Sequence, residues 1–234
     1  MTVTLTDNMT KSGIASHGIV KGKRLVVTGV LTQSSIAYAV AQLAQEQGAQ
    51  IVLTSPPRTV SLTSRIAARL PQPVEVLALD VTDDNDLASL NDRVAEHLGE
   101  VDGILHAIGF APESALGGGF MTTPWPDVAT AMHVSTYSLV SLTRALAPSL
   151  TPKASVVGLD FDATVAWPSY DWMGVAKAAL ESASRYLAKE LGPQGVRVNL
   201  VSAGPLRTMA ARSIEGFNEF EDVWDQRAPL GWDI

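Results

Sequence analysis

Residues 24–48 read RLVVTGVLTQSSIAYAVAQLAQEQG, and this stretch decides the architecture. A short, β-branched run closes at Gly29, and apolar residues then recur at helical spacing until Gly48, a common helix stop. Strand, tight turn, helix is the opening unit of an α/β fold. Gly29 lets the backbone turn sharply, and Ser34 and Ser35 stand near the helix N-terminus. Free N–H groups and the helix dipole there favour a phosphate. The same serines could act only as N-caps. The G-x-G-x-x-G pattern is absent, so the turn alone does not specify a dinucleotide.

Outward from this unit the pattern repeats. AQIVLTS (49–55), VEVLALDV (74–81), VDGILHAIG (101–109), ASVVGLD (154–160) and VRVNLVSAG (196–204) are short runs, near-continuously apolar, as strands buried on both faces should be. Helical patterns lie between them: SLTSRIAARL, DLASLNDRVAEHLG, WPDVATAMHVSTYSLVSLTRALAPSL and WMGVAKAALESASRYLAKELG. The expectation is a Rossmann-type, doubly wound parallel sheet flanked by helices, with right-handed crossovers, spanning residues 21–234 as one domain. Ligands of such sheets bind outside the carboxyl ends of the strands.

Composition narrows the partners. A net charge of −7 argues against nucleic acid, whose phosphates call for clustered Lys and Arg. No cysteine is present, which removes disulfides, thiolate nucleophiles and cysteine metal sites. No apolar run reaches the ~20 residues of a membrane span, and the polar N-terminus lacks the apolar centre of a signal peptide. The reading is a soluble, cytoplasmic protein with no membrane insertion and no metal, whose residues 1–20 form a flexible lead-in.

The strand ends carry the chemistry. Asp80 can accept from an adenine edge with Val81 packed on the ring, or it can cap the next helix. Ile108 and Gly109 offer small groups where a nucleotide passes, or only a tight turn. After the second strand stands TSPPR, with no acidic residue to grip a 2′-hydroxyl. Ser55 and Arg58 could hold a 2′-phosphate there, or Arg58 could be a solvated charge. In AGPLRT (203–208), Gly204 and Pro205 make a turn and Thr208 offers a hydroxyl. YDWMGVAK (170–177) sets Tyr170 and Lys177 seven positions apart, nearly on one helix face about 10.5 Å apart along the axis. A lysine buried beside the phenol would lower its pKa. An ordinary packed tyrosine and a snorkelling lysine fit the spacing too.

Taken together, TGVLTQSSIA, AQEQGAQIVLT, LDV, HAIGFAP, GLDFD, YDWMGVAKAALES, GVRVNLVSAGPLRT and WDQRAPLGW resemble the short-chain dehydrogenase/reductase superfamily. Within it they are similar to the enoyl-acyl-carrier-protein reductases, above all the mycobacterial, NADH-dependent type that isoniazid targets. Tyr and Lys separated by six residues is the spacing of that branch. The resemblance implies hydride transfer from NADH to the β-carbon of a trans-2-enoyl thioester, carried by acyl carrier protein or coenzyme A. The setting would be fatty-acid elongation, the mycolic-acid type included. It implies catalytic roles for Tyr170, Lys177 and Phe161. Cofactor contacts would come from Gly29, Val30, Ser35, Ile36, Asp80, Val81, Ile108, Gly109, Val134, Lys177, Gly204, Leu206 and Thr208. Tyr170, Met173, Met209 and Trp224 would line the acyl site, and the assembly would be a homotetramer. Phe161 and the wall residues also read as core side chains.

Three features depart from the family pattern. Pro56 stands where the mycobacterial type has an aromatic residue, which leaves NADPH open behind NADH. The substrate loop, about 208–224, is shorter, and the sequence stops before the family's final strand and helix. Two other readings share the motifs: a carbonyl reductase, disfavoured by the Tyr–Lys spacing and by GLDFD in place of a catalytic Ser, and a non-catalytic nucleotide sensor.

Overall fold

In the computed structural model, which describes residues 18–212, 223–224 and 226–232, the β-branched runs pair into one six-stranded sheet. The strands are β1 (Arg24–Thr28), β2 (Gln50–Ser55), β3 (Glu75–Ala78), β4 (Val101–His106), β5 (Leu150–Asp160) and β6 (Arg197–Ser202). Their order is β3-β2-β1-β4-β5-β6, and every pairing is parallel. The winding reverses between β1 and β4, which opens a crevice at their carboxyl ends.

The helices are α1 (Ile36–Glu46), α2 (Val60–Ala67), α3 (Asp84–Leu98), α4 (Trp125–Met132), α5 (Ser138–Leu146), α6 (Asp171–Leu191) and α7 (Met209–Arg212). On one face of the sheet, Leu90 and Val94 of α3, Leu139, Leu142 and Leu146 of α5 and Leu180 of α6 pack on Val26, Ile104 and Val156. On the other, Ala37, Tyr38 and Ala41 of α1 and Ala67 of α2 pack on Val27, Ile51 and Leu53. Small residues on α1 let it approach the sheet closely.

Several boundaries differ from the sequence reading, each for a physical reason. β3 stops at Ala78 rather than Val81. Leu79 N–H still reaches the Ser55 carbonyl, but Asp80 then folds into a turn with Thr82. Both β3 and β6 are half-exposed, because they lie at the edges; burial on both faces belongs to the central strands. Residues 125–150 are not one helix. A π turn at His133–Tyr137 interrupts it, a 3-10 turn at Ala147–Ser149 ends it, and Leu150 already pairs with Val101 as the start of β5. The cap of α3 is Asp83, whose carboxylate accepts from the N–H groups of Asn85 and Asp86, so Asp80 is not the cap. Residues 18–20 belong to the fold instead of the lead-in: Ile19 N–H donates to Gln47 Oε1 and Val20 packs on the α1 core. The remainder of that lead-in, residues 1–17, lies outside the described residues.

His106 ends β4 with its ring fully buried. Ser138 Oγ donates to the Val134 carbonyl at 2.6 Å. The hydroxyl therefore accepts from His106 Nε2–H, 2.7 Å away. Nδ1 is left a bare acceptor with no hydrogen-bond partner among the described residues. Burial, and next the charge of Lys177, lower the imidazole pKa from 6.5 to about 3. The folded state thus refuses a proton that the unfolded chain accepts.

Two stability measurements follow from this packing. Leu142→Ala, deep between α5 and the sheet, should lower the unfolding free energy by roughly 2–5 kcal/mol in urea titrations. Because the His106 pKa is depressed on folding, its contribution is full above pH 6.5 and is lost as pH falls toward about 3, at up to ~1.4 kcal/mol per pH unit. Urea midpoints between pH 7 and pH 4 should fall less steeply for His106→Gln than for the wild type; parallel slopes would contradict the assignment.

Candidate active site

The carboxyl ends of β1, β4, β5 and β6 open onto one cleft of about 1310 Å³. That exceeds the roughly 300–1,000 Å³ of a typical small-molecule site, leaving room for a dinucleotide and a second molecule together.

At the β1–α1 junction Gly29 has φ +83°, and a Cβ on it would lie 2.1 Å from the Ala107 carbonyl oxygen. No other residue fits there. Thr28 Oγ1 locks the two loops together, donating to the Leu105 carbonyl at 3.0 Å and accepting from Ala107 N–H at 2.8 Å. Ser35 occupies the N-cap position of α1 but does not cap it. Its hydroxyl turns back to the Thr32 carbonyl, 2.6 Å away, and the first turn carries no acidic side chain. Ser35, Ile36 and Ala37 line the cleft, so an uncapped helix N-terminus faces it, as a pyrophosphate requires.

After β4, Ile108 and Gly109 line the same cleft. Phe110 is clamped at both backbone groups by one hydroxyl: its N–H donates to Ser135 Oγ at 2.9 Å, and that hydroxyl donates to its carbonyl at 2.8 Å. After β6, Gly204 is packed so tightly that a Cβ would meet Trp232 and Trp224 within 2.7 Å. Trp232 Nε1–H donates to the Pro205 carbonyl at 3.0 Å. Leu206 and Thr208 line the cleft, and Thr208 Oγ1 accepts from Ala211 N–H at the start of α7.

Tyr170 is the residue before α6, so the tyrosine stands at the helix entrance and Lys177 two turns in. The Phe161 and Tyr170 rings meet at 4.2 Å between centroids, tilted by 49°. Lys177 is 8% exposed, and its Nζ donates to the Leu159 carbonyl at 2.7 Å. Burial lowers the ammonium pKa, partly offset by Asp160; burial raises that of Asp160, partly offset by Lys177. The Tyr170 phenol is raised by burial. The sequence reading expected the lysine to lower it. The lysine is instead bonded to the strand, and removal from water dominates, so the phenol is a neutral donor at neutral pH.

The cleft also gathers Met173, Met209 and Trp224. Trp224 tilts against Trp167, centroids 5.5 Å apart, with the Arg227 guanidinium 5.8 Å from the Trp167 ring centre. Four expected residues do not line the cleft. Val30 and Val81 are buried in the core, and Val134 packs against it. Asp80 accepts from Thr82 N–H and Oγ1–H at 2.9 and 2.6 Å, and these bonds lower its pKa. Much of the expected substrate loop, residues 213–222, lies outside the described residues. Ser55 is buried, with its hydroxyl engaged by Thr59 and Thr63, while Arg58 is exposed.

Sequence reasoning missed Thr28, Ser135, Asp160 and a glycine-rich flap whose Leu116, Gly117, Gly119 and Thr122 line the cleft. The run of Gly117, Gly118 and Gly119 was the available signal for the flap. Ser135 sits inside a helical pattern and offered none.

Comparison with known proteins agrees with this geometry. The family model for enoyl-(acyl carrier protein) reductase matches residues 29–234. The NADH enoyl-[acyl-carrier-protein] reductase of Mycolicibacterium smegmatis is 47% identical over 231 residues, covering 93% of this chain and 86% of that protein. Its counterpart in Mycobacterium avium is 44% identical over 230 residues, covering 93% and 85%. The Escherichia coli enzyme is 40% identical over 211 residues, covering 86% and 78%. With a cleft built from four strand ends of a parallel sheet and a match over most of its length, the chain belongs to the enoyl-(acyl carrier protein) reductase family.

Proposed function

We propose that this chain reduces the 2,3 double bond of trans-2-enoyl thioesters with NADH, as an oxidoreductase of fatty-acid elongation. One observation carries the reading: Phe161, Tyr170 and Lys177 converge on a cleft that also holds an uncapped helix N-terminus and a glycine no side chain can replace. The names of the relatives supply the substrate class and the cofactor.

NADH, when bound, supplies the hydride from its nicotinamide ring. The uncapped first turn of α1 and the close approach at Gly29 suit the pyrophosphate. Ammonium groups carry three donors, and Lys177 uses one on Leu159, which leaves two for ribose hydroxyls. Tyr170, kept protonated by burial, donates to the thioester oxygen as negative charge grows there, an interaction stronger in the transition state than in the ground state. Phe161 packs against that ring and restricts its rotation. Asp80, Val81, Val30 and Val134 would shape the adenine and nicotinamide ends from behind the cleft wall. With Ser55 occupied internally, a 2′-phosphate has less to bind, which favours NADH over NADPH. Met173, Met209 and Trp224 would border the acyl chain, thioethers adapting to a flexible ligand.

The finer setting is part of the proposal: acyl carrier protein or coenzyme A as carrier, a homotetramer and a cytoplasmic location. Among the described residues no helix is long and apolar enough to cross a membrane. Exposed Tyr137 and Tyr186 are in keeping with a buried face in an assembly.

Purified protein should consume NADH, read at 340 nm, when given a trans-2-enoyl thioester on either carrier. Tyr170→Phe should retain NADH binding and lose roughly 100-fold or more in kcat. A Tyr170→Phe enzyme as fast as wild type would sink the assignment.

A further inference from the structure

The segment between β4 and α4 bends through Gly117 and Gly118, at φ +79° and +99°. A Cβ at either position would meet nothing within 4 Å, so these glycines serve conformation and not packing. The flap they form contributes one wall of the cleft. It is tied to the entrance of α6 at three points. Gly117 N–H donates to the Ser169 carbonyl at 3.1 Å. Gly118 N–H donates to the Asp171 carboxylate. Trp172 Nε1–H donates to the Phe120 carbonyl at 3.0 Å, with the two rings stacked 4.7 Å apart.

The receiving residues are unusual. Ser169 and Asp171 both have positive φ, 62° and 37°, a region that residues with a Cβ avoid. They flank Tyr170 on either side, and each accepts a hydrogen bond from the flap. Strained backbone of this kind persists only where its surroundings hold it, and here the flap supplies a hydrogen bond to each strained residue. Without those bonds the chain would relax at Ser169 and Asp171, and the phenol between them would swing away from Phe161.

We propose that Asp171 is a positioning residue: its carboxylate latches the glycine flap to the start of α6 and thereby fixes Tyr170 against Phe161. The role of Tyr170 rests on the proposed enoyl reductase activity. Asp171 also sits in the first turn of α6, where a negative charge favours the helix dipole. The two roles separate chemically, because an amide oxygen can accept from Gly118 N–H while carrying no charge.

Asp171→Ala, Asp171→Asn and Trp172→Phe, compared with wild type, decide the matter through steady-state kinetics and amide hydrogen exchange. In Asp171→Ala, kcat for the enoyl thioester should fall roughly 10- to 100-fold, as expected for a misplaced catalytic group, with KM for NADH unchanged. Exchange should quicken in residues 117–123 and 169–173 and stay as in wild type in α1. Asp171→Asn should restore both kcat and protection. Trp172→Phe, which keeps the stack but removes the indole donor, should loosen the same two segments. Asp171→Ala with wild-type kcat, or Asp171→Asn as impaired as Asp171→Ala, would overturn the proposal. Exchange also separates this idea from the activity itself: a wild type inert toward enoyl thioesters refutes the substrate reading, while unchanged exchange at 117–123 and 169–173 in Asp171→Ala refutes the latch.

Discussion

Burying the Lys177 ammonium constrains everything around it. A buried cation is tolerated only where acceptors replace the lost water, and the Leu159 carbonyl does so at 2.7 Å. That carbonyl belongs to the penultimate residue of β5, so the bond ties α6 to the strand end bearing Asp160 and Phe161. The same charge opposes a second proton on His106 and counters the burial of Asp160. Lys177, Asp160 and His106 therefore have their protonation set jointly. The phenol above them is raised by burial, and Lys177 Nζ reaches the Leu159 carbonyl.

The π turn at His133–Tyr137 determines where that lysine can stand. Widened turns re-aim side chains that a regular helix would send elsewhere, and here three hydroxyls reach three separate neighbours. Ser135 clamps Phe110, Thr136 donates to the Ala176 carbonyl at 2.6 Å, and Ser138 accepts from His106. The first sets the loop after β4 and the second holds the turn of α6 that carries Lys177. The third fixes the tautomer of the buried imidazole that ends β4. A continuous helix through residues 125–150 would break this convergence, which is why the interruption has a structural purpose although its sequence reads as helix throughout.

What could be read beforehand follows from the range of the interactions involved. The β1–turn–α1 unit, the parallel sheet and the Tyr170/Lys177 spacing depend on local periodicity and on residue types at fixed offsets, and all were legible. Gly29 was legible as a turn, though not as the only residue that fits under the Ala107 carbonyl, since that clash involves a strand 77 positions away in the Thr28–Leu105 bond. The length of β3 was misread because apolar composition does not reveal an edge. The direction of the Tyr170 shift was misread because spacing says that two groups are near, not which partner each has already taken. The π turn was invisible because serine and threonine inside a helical pattern carry no periodic signature of their own.

The two halves of the cleft are built by different means. The half assigned to the cofactor is made of backbone and small side chains locked by hydroxyls: Thr28 on Ala107, Ser135 on Phe110, Gly29 with no space to spare. Such a surface has little freedom to adapt, which suits a ligand of constant shape. The half assigned to the acyl chain is bordered by glycines with open space around them, by thioethers and by tilted aromatic rings. Hydrogen bonds at Gly117, Gly118 and Trp172 join the flap on this adaptable side to the start of α6. Tyr170 stands at that seam. A substrate that varies in length can therefore reshape its own wall while the hydride donor keeps its place, provided the seam holds the tyrosine still.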